Sequence, residues 1–467
     1  MRRTGAALLA LGAALTLMPA SASASATAAP ALDWKPCFDG AATQCATLTV
    51  PLDWATGKGT VRLAVWRSPA RKPEQRIGAL MYNPGGPGSG TAQTVATGPE
   101  GYFPTQLLDR FDLVGIDFRG TGASSPVHCG LTAHDPAVNR FPTTASDVAK
   151  LARANAAFAD SCAAQTGPVL AHLDTATIAR DIDALREALG EKQISYLGIS
   201  YGTMLGQAYA ELFPHRLRAL ALDSVVDRSL STTQMLRDNA KATQDGWEYF
   251  VEWCARTTSC ALHGKDVQQV LREVTARAER GELKAGERTV TAGELRANIT
   301  ATMNFESALP DLARNLLAAS TGDGTGVSVG MFSLPTYPAY RSIICQDVPA
   351  RFDVPSAVRE SRALNPELGG YSEFWDIASG CVGWTQPVRW TPHPWRAKGL
   401  PPTLLVSGAH DVATPRAWAE SVQRQLPGSH LLTWDGFGHA AWPGNNKCGL
   451  QAVRDYLLTL TMPTGQC

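Results

Sequence analysis

The sequence predicts an α/β fold: a doubly wound, mostly parallel sheet with a mainly helical lid inserted into it. Three observations point there. Short apolar strand-like runs alternate with helical segments, the alternation halts near Val226, and it resumes after about Trp395. ATLTVPLDW (46–54) and TVRLAVWRS (60–68) alternate apolar and polar residues, as half-buried strands do. IGALMYN (77–83) is a more continuous apolar run and leads into the glycine-rich NPGGPGSG (83–90). FDLVGIDFRGTG (111–122) reads as another buried strand ending in a glycine-rich turn. Ile178, Ile182, Leu185 and Leu189 fall at helical spacing within 175–189, and Gly190 stops that helix.

ISYLG (194–198) then reads as a strand, TMLGQAYAELF (203–213) as a helix ended by Pro214, and RLRALALDSV (216–225) as the next strand. PPTLLVSGAHD, a helix over about 417–426, HLLTWDGFGHAAW and the helix QAVRDYLLTL complete the pattern. The expected organisation is a core over 34–228, a lid over 229–395 and the rest of the core over 396–467.

Composition narrows the function class. The 467 residues carry 42 basic and 42 acidic side chains, with no run of about five or six like charges, which argues against a polyanionic partner such as nucleic acid. Arg2 and Arg3 precede an apolar stretch from Gly5 to Met18. Pro19 and the small-residue run SASASATAA follow, so residues 1–28 read as a secretion signal. That stretch is shorter than the roughly 20 residues that span a bilayer. An exported, secreted protein with no membrane contact after signal cleavage is expected. Its ten cysteines, an even number, suggest disulfides. Sequence alone leaves their connectivity open; joining neighbours is the simplest pairing, 37–45, 129–162, 254–260, 345–381 and 448–467. No cysteine spacing suits a zinc site, and neither a metal nor a cofactor is expected.

Two stretches match G-x-S-x-G: GISYG around Ser200 and GVSVG around Ser328. A nucleophile elbow needs a buried strand before the serine and a helix after it. Ser200 has both. Ser328 follows the turn-like ASTGDGT and precedes MFSLPTYP, where prolines prevent a long helix. A serine hydroxyl needs a histidine base oriented by an acid, and in this arrangement the acid and then the histidine follow the serine. Asp411 ends LLVSGAHD, just before Thr414 and Pro415, which read as an N-cap and a first helical residue. Asp223 is the rival acid and ranks second on strand order. His439, on the loop after HLLTW, is the expected base; His410 adjoins Asp411 too closely, and His215 reads as a helix-end residue. The oxyanion donors are expected at the Tyr201 N–H and at Gly85 and Gly86. A phosphate loop is the competing reading of those glycines, but its Lys-Ser/Thr ending is absent.

CATLTVPLDW, NPGGPGSG, GIDFRGTG, the block from DIDALREALG to QAYAELFP, GAHDVATP, GFGHAAW and the closing Cys448…Cys467 pattern together resemble one family. They are similar to the secreted tripeptidyl aminopeptidases of actinobacteria, in the proline iminopeptidase-like branch of the α/β-hydrolases, over about Trp34 to Cys467. The resemblance implies an α/β-hydrolase fold and a serine exopeptidase releasing short peptides from free N-termini, with Ser200, Asp411 and His439 on the triad positions. The partners it implies are peptide or protein substrates. The chain departs from the family's HGGPG pattern by carrying Asn83-Pro84 ahead of the glycines. A protonated amine needs a carboxylate partner, and Glu306, Asp347 and Glu373 in the lid are the candidates. Phe305, Trp375 and Trp384 line a pocket or hold the lid together. A secreted carboxylesterase with the same triad is the alternative.

Overall fold

The computed structural model describes residues 32–38, 41–91, 98–133, 135, 137–328, 334–389 and 391–467. The expected signal segment 1–28 lies outside them, as do Val329 and Gly330 of the second G-x-S-x-G match. Among the described residues eleven strands run in chain order: β1 Lys35–Pro36, β2 Gln44–Pro51, β3 Thr60–Ser68, β4 Gly78–Asn83, β5 Phe111–Ile116, β6 Ile194–Ile199, β7 Leu217–Asp223, β8 Lys284–Ala285, β9 Arg288–Thr289, β10 Thr403–His410 and β11 Ser429–Phe437. Nine form one sheet in the order β1-β2-β3-β5-β4-β6-β7-β10-β11, while β8 and β9 make a separate ribbon.

The pairings β1–β2, β2–β3 and β3–β5 are antiparallel, and every pairing from β5 to β11 is parallel. Burial follows the sequence pattern. GALMYN, FDLVGI and ISYLGI are buried at every position because helices cover both faces of the parallel part. The alternating β3 buries Val61, Leu63 and Val65 and exposes the residues between them to a greater degree. β4 lies between β5 and β6, so the chain winds away from it in both directions. The carboxyl ends of β4 and β6 therefore flank a crevice of the kind in which such sheets place their sites.

The helix Thr175–Ala188 forms where its spacing predicts it, with Asp174 capping the N–H of Thr177 and Ile178, Ile182 and Leu185 buried. The helix after β6 begins at Tyr201, two residues earlier than the sequence suggested. A 22-residue helix, Ala145–Thr166, escaped the pattern reading. Its buried face holds Leu151, Phe158, Ala159 and Cys162 among many alanines, so its apolar period is faint.

Between β7 and β10 the described chain forms helices at Thr232–Arg256, Val267–Glu279, Ala292–Thr302, Leu309–Ser320, Tyr337–Asp347, Val354–Leu364 and Glu373–Cys381. Trp247, Phe250, Leu271, Val274, Leu295, Ile299, Leu312 and Leu316 build a cluster of their own there. Tyr340, Ile343, Phe374 and Ile377 instead join the cluster that packs on the sheet. The cysteines pair with their sequence neighbours in five disulfides: 37–45, 129–162, 254–260, 345–381 and 448–467. No described helix is long and apolar enough to cross a membrane.

One buried ion pair ties the antiparallel end to the helical layer. Arg119, just after β5, meets Asp181 on the helix Thr175–Ala188 at 2.6 Å with both side chains fully buried. The guanidinium also donates to the carbonyls of Pro51 (3.0 Å) and Leu52 (2.8 Å), and Trp54 Nε1 donates to Asp181 at 2.9 Å. Removing one partner leaves the other charge buried and unpaired. Asp181→Ala should therefore cost about 3–5 kcal/mol of stability, read as a lower urea midpoint at unchanged slope.

Candidate active site

Ser200 stands between the last residue of β6 and the first of the following helix, at φ 56° and ψ −121°. A non-glycine residue takes that conformation only when its surroundings enforce it. Here the Ser200 N–H donates to the Asp223 carbonyl at 3.0 Å and the Thr203 N–H to the Ser200 carbonyl at 2.8 Å. The flanking glycines have a steric reason. A Cβ on Gly202 would lie 2.7 Å from the Asn83 carbonyl oxygen, and one on Gly198 would clash with the Gly202 backbone. Strand, turn and helix thus approach backbone to backbone. Ser328 has no such setting: it ends a short 3-10 turn and its hydroxyl donates to the Thr325 carbonyl at 2.8 Å.

Asp411 follows β10 directly and is buried. His439 Nδ1 lies 3.0 Å from each of its carboxylate oxygens. Oδ1 also accepts the N–H groups of Ala413 and Thr414, both at 2.9 Å, and Oδ2 accepts the hydroxyls of Ser224 at 2.6 Å and Thr414 at 2.9 Å. Burial on its own raises this carboxyl. The facing His439 and the surrounding donors outweigh that and hold it below its ordinary value. Burial alone lowers His439, but the Asp411 carboxylate and, further off, Glu373 and Asp223 raise its imidazole above the ordinary value.

Asp223, the rival acid, ends β7 and takes a different part. One oxygen accepts the Trp442 N–H at 2.8 Å, and burial pushes the carboxyl up to about 6. His410 turns to Asp245, 2.8 Å away, and His215 is exposed. Thr414 is not the expected helix cap. Its hydroxyl is taken by Asp411, and the helix begins at Arg416 with Pro415 at the N-cap.

The oxyanion expectation needs one correction. The Gly85 N–H donates to Asn83 Oδ1 at 2.8 Å, so it is not free to meet a developing charge. Gly85 serves closeness instead: at φ 99°, a Cβ there would lie 2.8 Å from both the Ile199 carbonyl and Ser200 Cβ. Gly86 lines the pocket beside Ser200. The Tyr201 N–H is in the first turn of its helix, where no intrahelical acceptor exists.

That pocket is walled by Gly86, Ser200, Tyr201, Tyr340, Glu373 and Trp418, with Met204, Met235, Ile344 and Phe374 adding apolar surface. Of the three expected amine partners, only Glu373 reaches it. Asp347 is buried on the far side of Tyr201. It accepts the Thr175 N–H at 3.1 Å and the Thr175 hydroxyl, which also meets the Tyr201 hydroxyl at 2.8 Å. Burial and then the neighbouring Asp174 push this carboxyl up to about 7. Glu306 is exposed and accepts from the Tyr249 hydroxyl at 2.9 Å. Phe305 is 47% exposed and pairs through its backbone with Gly438. Trp375 stacks on Phe141 at 4.8 Å, and Trp384 tilts against Phe158 at 6.5 Å. Of the pocket's aromatic walls, the sequence reading did not single out Tyr340, Phe374 or Trp418.

It also missed Asn304. The Asn304 carbonyl accepts the His439 N–H at 2.8 Å. Burial raises the Glu373 carboxyl above the ordinary glutamate value, and the nearby His439 and Asn304 side chain act the other way. Among the described residues no cluster of side chains suits a metal ion.

A turn-borne serine, a histidine held by a buried aspartate and a loop of close glycines at the carboxyl ends of parallel strands define a class. The family model described as alpha/beta hydrolase fold matches residues 78–442, and the chain belongs to that family. Within it, the chain is 31% identical to serine protease Hip1 of Mycobacterium tuberculosis, over 92% of this chain and 89% of that protein. It is 30% identical to a tripeptidyl aminopeptidase of Streptomyces coelicolor (94% and 86%) and 33% identical to carboxylesterase B of M. tuberculosis (93% and 89%). The protein is a serine hydrolase homologous to these peptidases.

The Asp411–His439 contact sets a measurable property. In an NMR titration of the His439 ring, the midpoint should lie above the ordinary imidazole value of about 6.5. Asp411→Asn should move it down, because the ring loses the facing negative charge.

Proposed function

We propose that this protein is a secreted serine exopeptidase that releases short peptides, tripeptides in the first instance, from free N-termini through an acyl-enzyme. The observation that carries this reading is Glu373, a carboxylate in the same pocket as Ser200. A carboxylate beside a nucleophile suits a substrate whose cationic amine lies within reach of its scissile carbonyl. Five disulfides support export to an oxidising compartment. The release of tripeptides leans on the relative named tripeptidyl aminopeptidase.

In this reading His439 takes the Ser200 hydroxyl proton as Oγ attacks the carbonyl carbon. The N–H groups of Tyr201 and Gly86 receive the negative charge on the carbonyl oxygen, each worth about 3–4 kcal/mol. His439 then passes its proton to the leaving amine, and the C–N bond breaks. Water, deprotonated by His439, attacks the acyl carbon, and the imidazolium returns that proton to Ser200 Oγ as the ester C–O bond breaks and the peptide leaves. Asp411 keeps the imidazole in the right tautomer and stabilises the imidazolium formed in each half-reaction.

A carboxylesterase is the second reading, favoured by the apolar surface of Met204, Met235, Ile344 and Phe374 and by the relative named carboxylesterase B. Rates on a tripeptide p-nitroanilide, its N-acetylated form and a p-nitrophenyl ester separate the two. The free peptide should exceed its acetylated form in kcat/KM by at least about tenfold, as expected for loss of one charged contact. Equal rates on both peptides, with the ester far faster, would transfer the assignment to the esterase. Ser200→Ala should lower kcat on the accepted substrate by about 10⁶-fold and abolish fluorophosphonate labelling, while Ser328→Ala should change neither.

A further inference from the structure

Tyr201 has two polar ends. Its N–H lies in the first turn of the helix Tyr201–Leu212, directly after Ser200, and its side chain is buried in the core. The hydroxyl at the tip of that side chain meets Thr175 Oγ1 at 2.8 Å. Thr175 opens the helix Thr175–Ala188 and is fully buried. Its N–H, a first-turn donor without an intrahelical acceptor, reaches both Asp347 oxygens, at 3.1 and 3.2 Å, and its hydroxyl bonds to Asp347 Oδ2 as well. A carboxylate only accepts, and a threonine hydroxyl has one proton to give. The direction is therefore set: the Tyr201 O–H donates to Thr175 Oγ1, and the Thr175 O–H donates to Asp347. Burial keeps the Tyr201 hydroxyl protonated.

The chain of bonds ends on a different layer of the molecule. Asp347 is the last residue of the helix Tyr337–Asp347, which also carries Tyr340 and Ile344 of the pocket wall, and Val348 after it lines the same pocket. Gln346 fastens that helix end a second time. Its amide donates to the Leu170 carbonyl at 2.6 Å and accepts the Leu173 N–H at 3.1 Å. The Asp347 charge is repelled by Asp174 and attracted by Arg228. A buried carboxylate costs more here than an amide would, and what it gains is a stronger, one-way hold on Thr175 and, through it, on Tyr201.

We propose that Thr175 and Asp347 are positioning residues for the oxyanion site. The bonds from Tyr201 through Thr175 to Asp347 pin the far end of the tyrosine, so the aim of its N–H depends on how the helix Tyr337–Asp347 is seated on the core. Neither residue touches substrate; each acts through Tyr201. A donor of this kind helps by being aimed at the oxygen as its charge develops, so the effect belongs to the chemical step and not to binding. This rests on the role of the Tyr201 N–H given above and adds the part of the molecule that enforces it.

The test uses whichever of the tripeptide p-nitroanilide and the p-nitrophenyl ester the wild type accepts. It is run at about pH 8, above the value of about 7 to which burial pushes Asp347, so that the carboxylate is ionised. Active sites are counted by fluorophosphonate labelling, so misfolded protein drops out of each rate. The aldehyde of the same acyl group probes the oxyanion site: Ser200 Oγ adds to its carbon, His439 takes the serine proton, and the C=O electron pair moves onto the oxygen facing Tyr201. The corresponding alcohol forms no such adduct. Thr175→Val should lower kcat per site about tenfold with KM within about twofold, weaken the aldehyde by the same factor as kcat and leave the alcohol unchanged. Thr175→Ser should restore all three. Asp347→Asn, which keeps an acceptor without the charge, should fall between the wild type and Thr175→Val. Tyr201→Phe should match Thr175→Val, with the double variant no worse than either, because both break one chain. It carries the same readouts where Thr175→Val does not fold. Unchanged kcat in these variants, aldehyde and alcohol weakened alike, or losses that multiply in the double variant overturn the positioning role. A wild type that takes no fluorophosphonate label overturns the serine site itself.

Discussion

The Asp411 carboxylate is the constraint on which the arrangement depends. It is buried between three strand ends, and its two oxygens collect Ser224 from after β7, Ala413 and Thr414 from after β10, and His439 from after β11. Ser224 in turn accepts the Ala440 N–H at 2.8 Å, so the histidine loop is held from both ends of the same anion. A buried anion without partners costs several kcal/mol, whereas one with this many donors fixes every loop that supplies them. Removing the charge would therefore disturb loop positions as well as the titration of the imidazole.

The segment between β7 and β10 reaches this centre through two asparagines. Asn304 takes the His439 N–H on its carbonyl, and its side chain lies beside Glu373. Asn239, on the helix Thr232–Arg256, donates to the carbonyls of Val412 and Ala413 at 2.8 and 2.9 Å and accepts the Phe374 N–H at 2.9 Å. Asn239 thus bonds at once to the loop beside Asp411 and to the start of the helix that carries Glu373. An amide does this well because it offers donor and acceptor at opposite corners.

The sheet was legible because strand-forming runs and the glycine-flanked turn are local signals. ISYLGISYG states its strand, turn and helix within nine residues, and the approach of Asp411 to His439 follows from strand order. What was not legible came from long-range packing. Nothing near Asp347 in the sequence announces Thr175, yet that contact takes the carboxylate out of the pocket. Gly85 looked like a free donor until the Asn83 side chain folded back on it. Ser224 and Thr414 carry no motif, and they become functional neighbours only where three loops meet. The helix Ala145–Thr166 was hidden because alanine fills much of its buried face.

The five disulfides all join residues close in sequence, and none links the helices between β7 and β10 to the sheet. The bridge between Cys345 and Cys381 instead fastens the tyrosine wall of the pocket to the glutamate wall. The bridge lies wholly between β7 and β10, so the distance between those two walls is held without any covalent tie to the serine turn or the glycine loop.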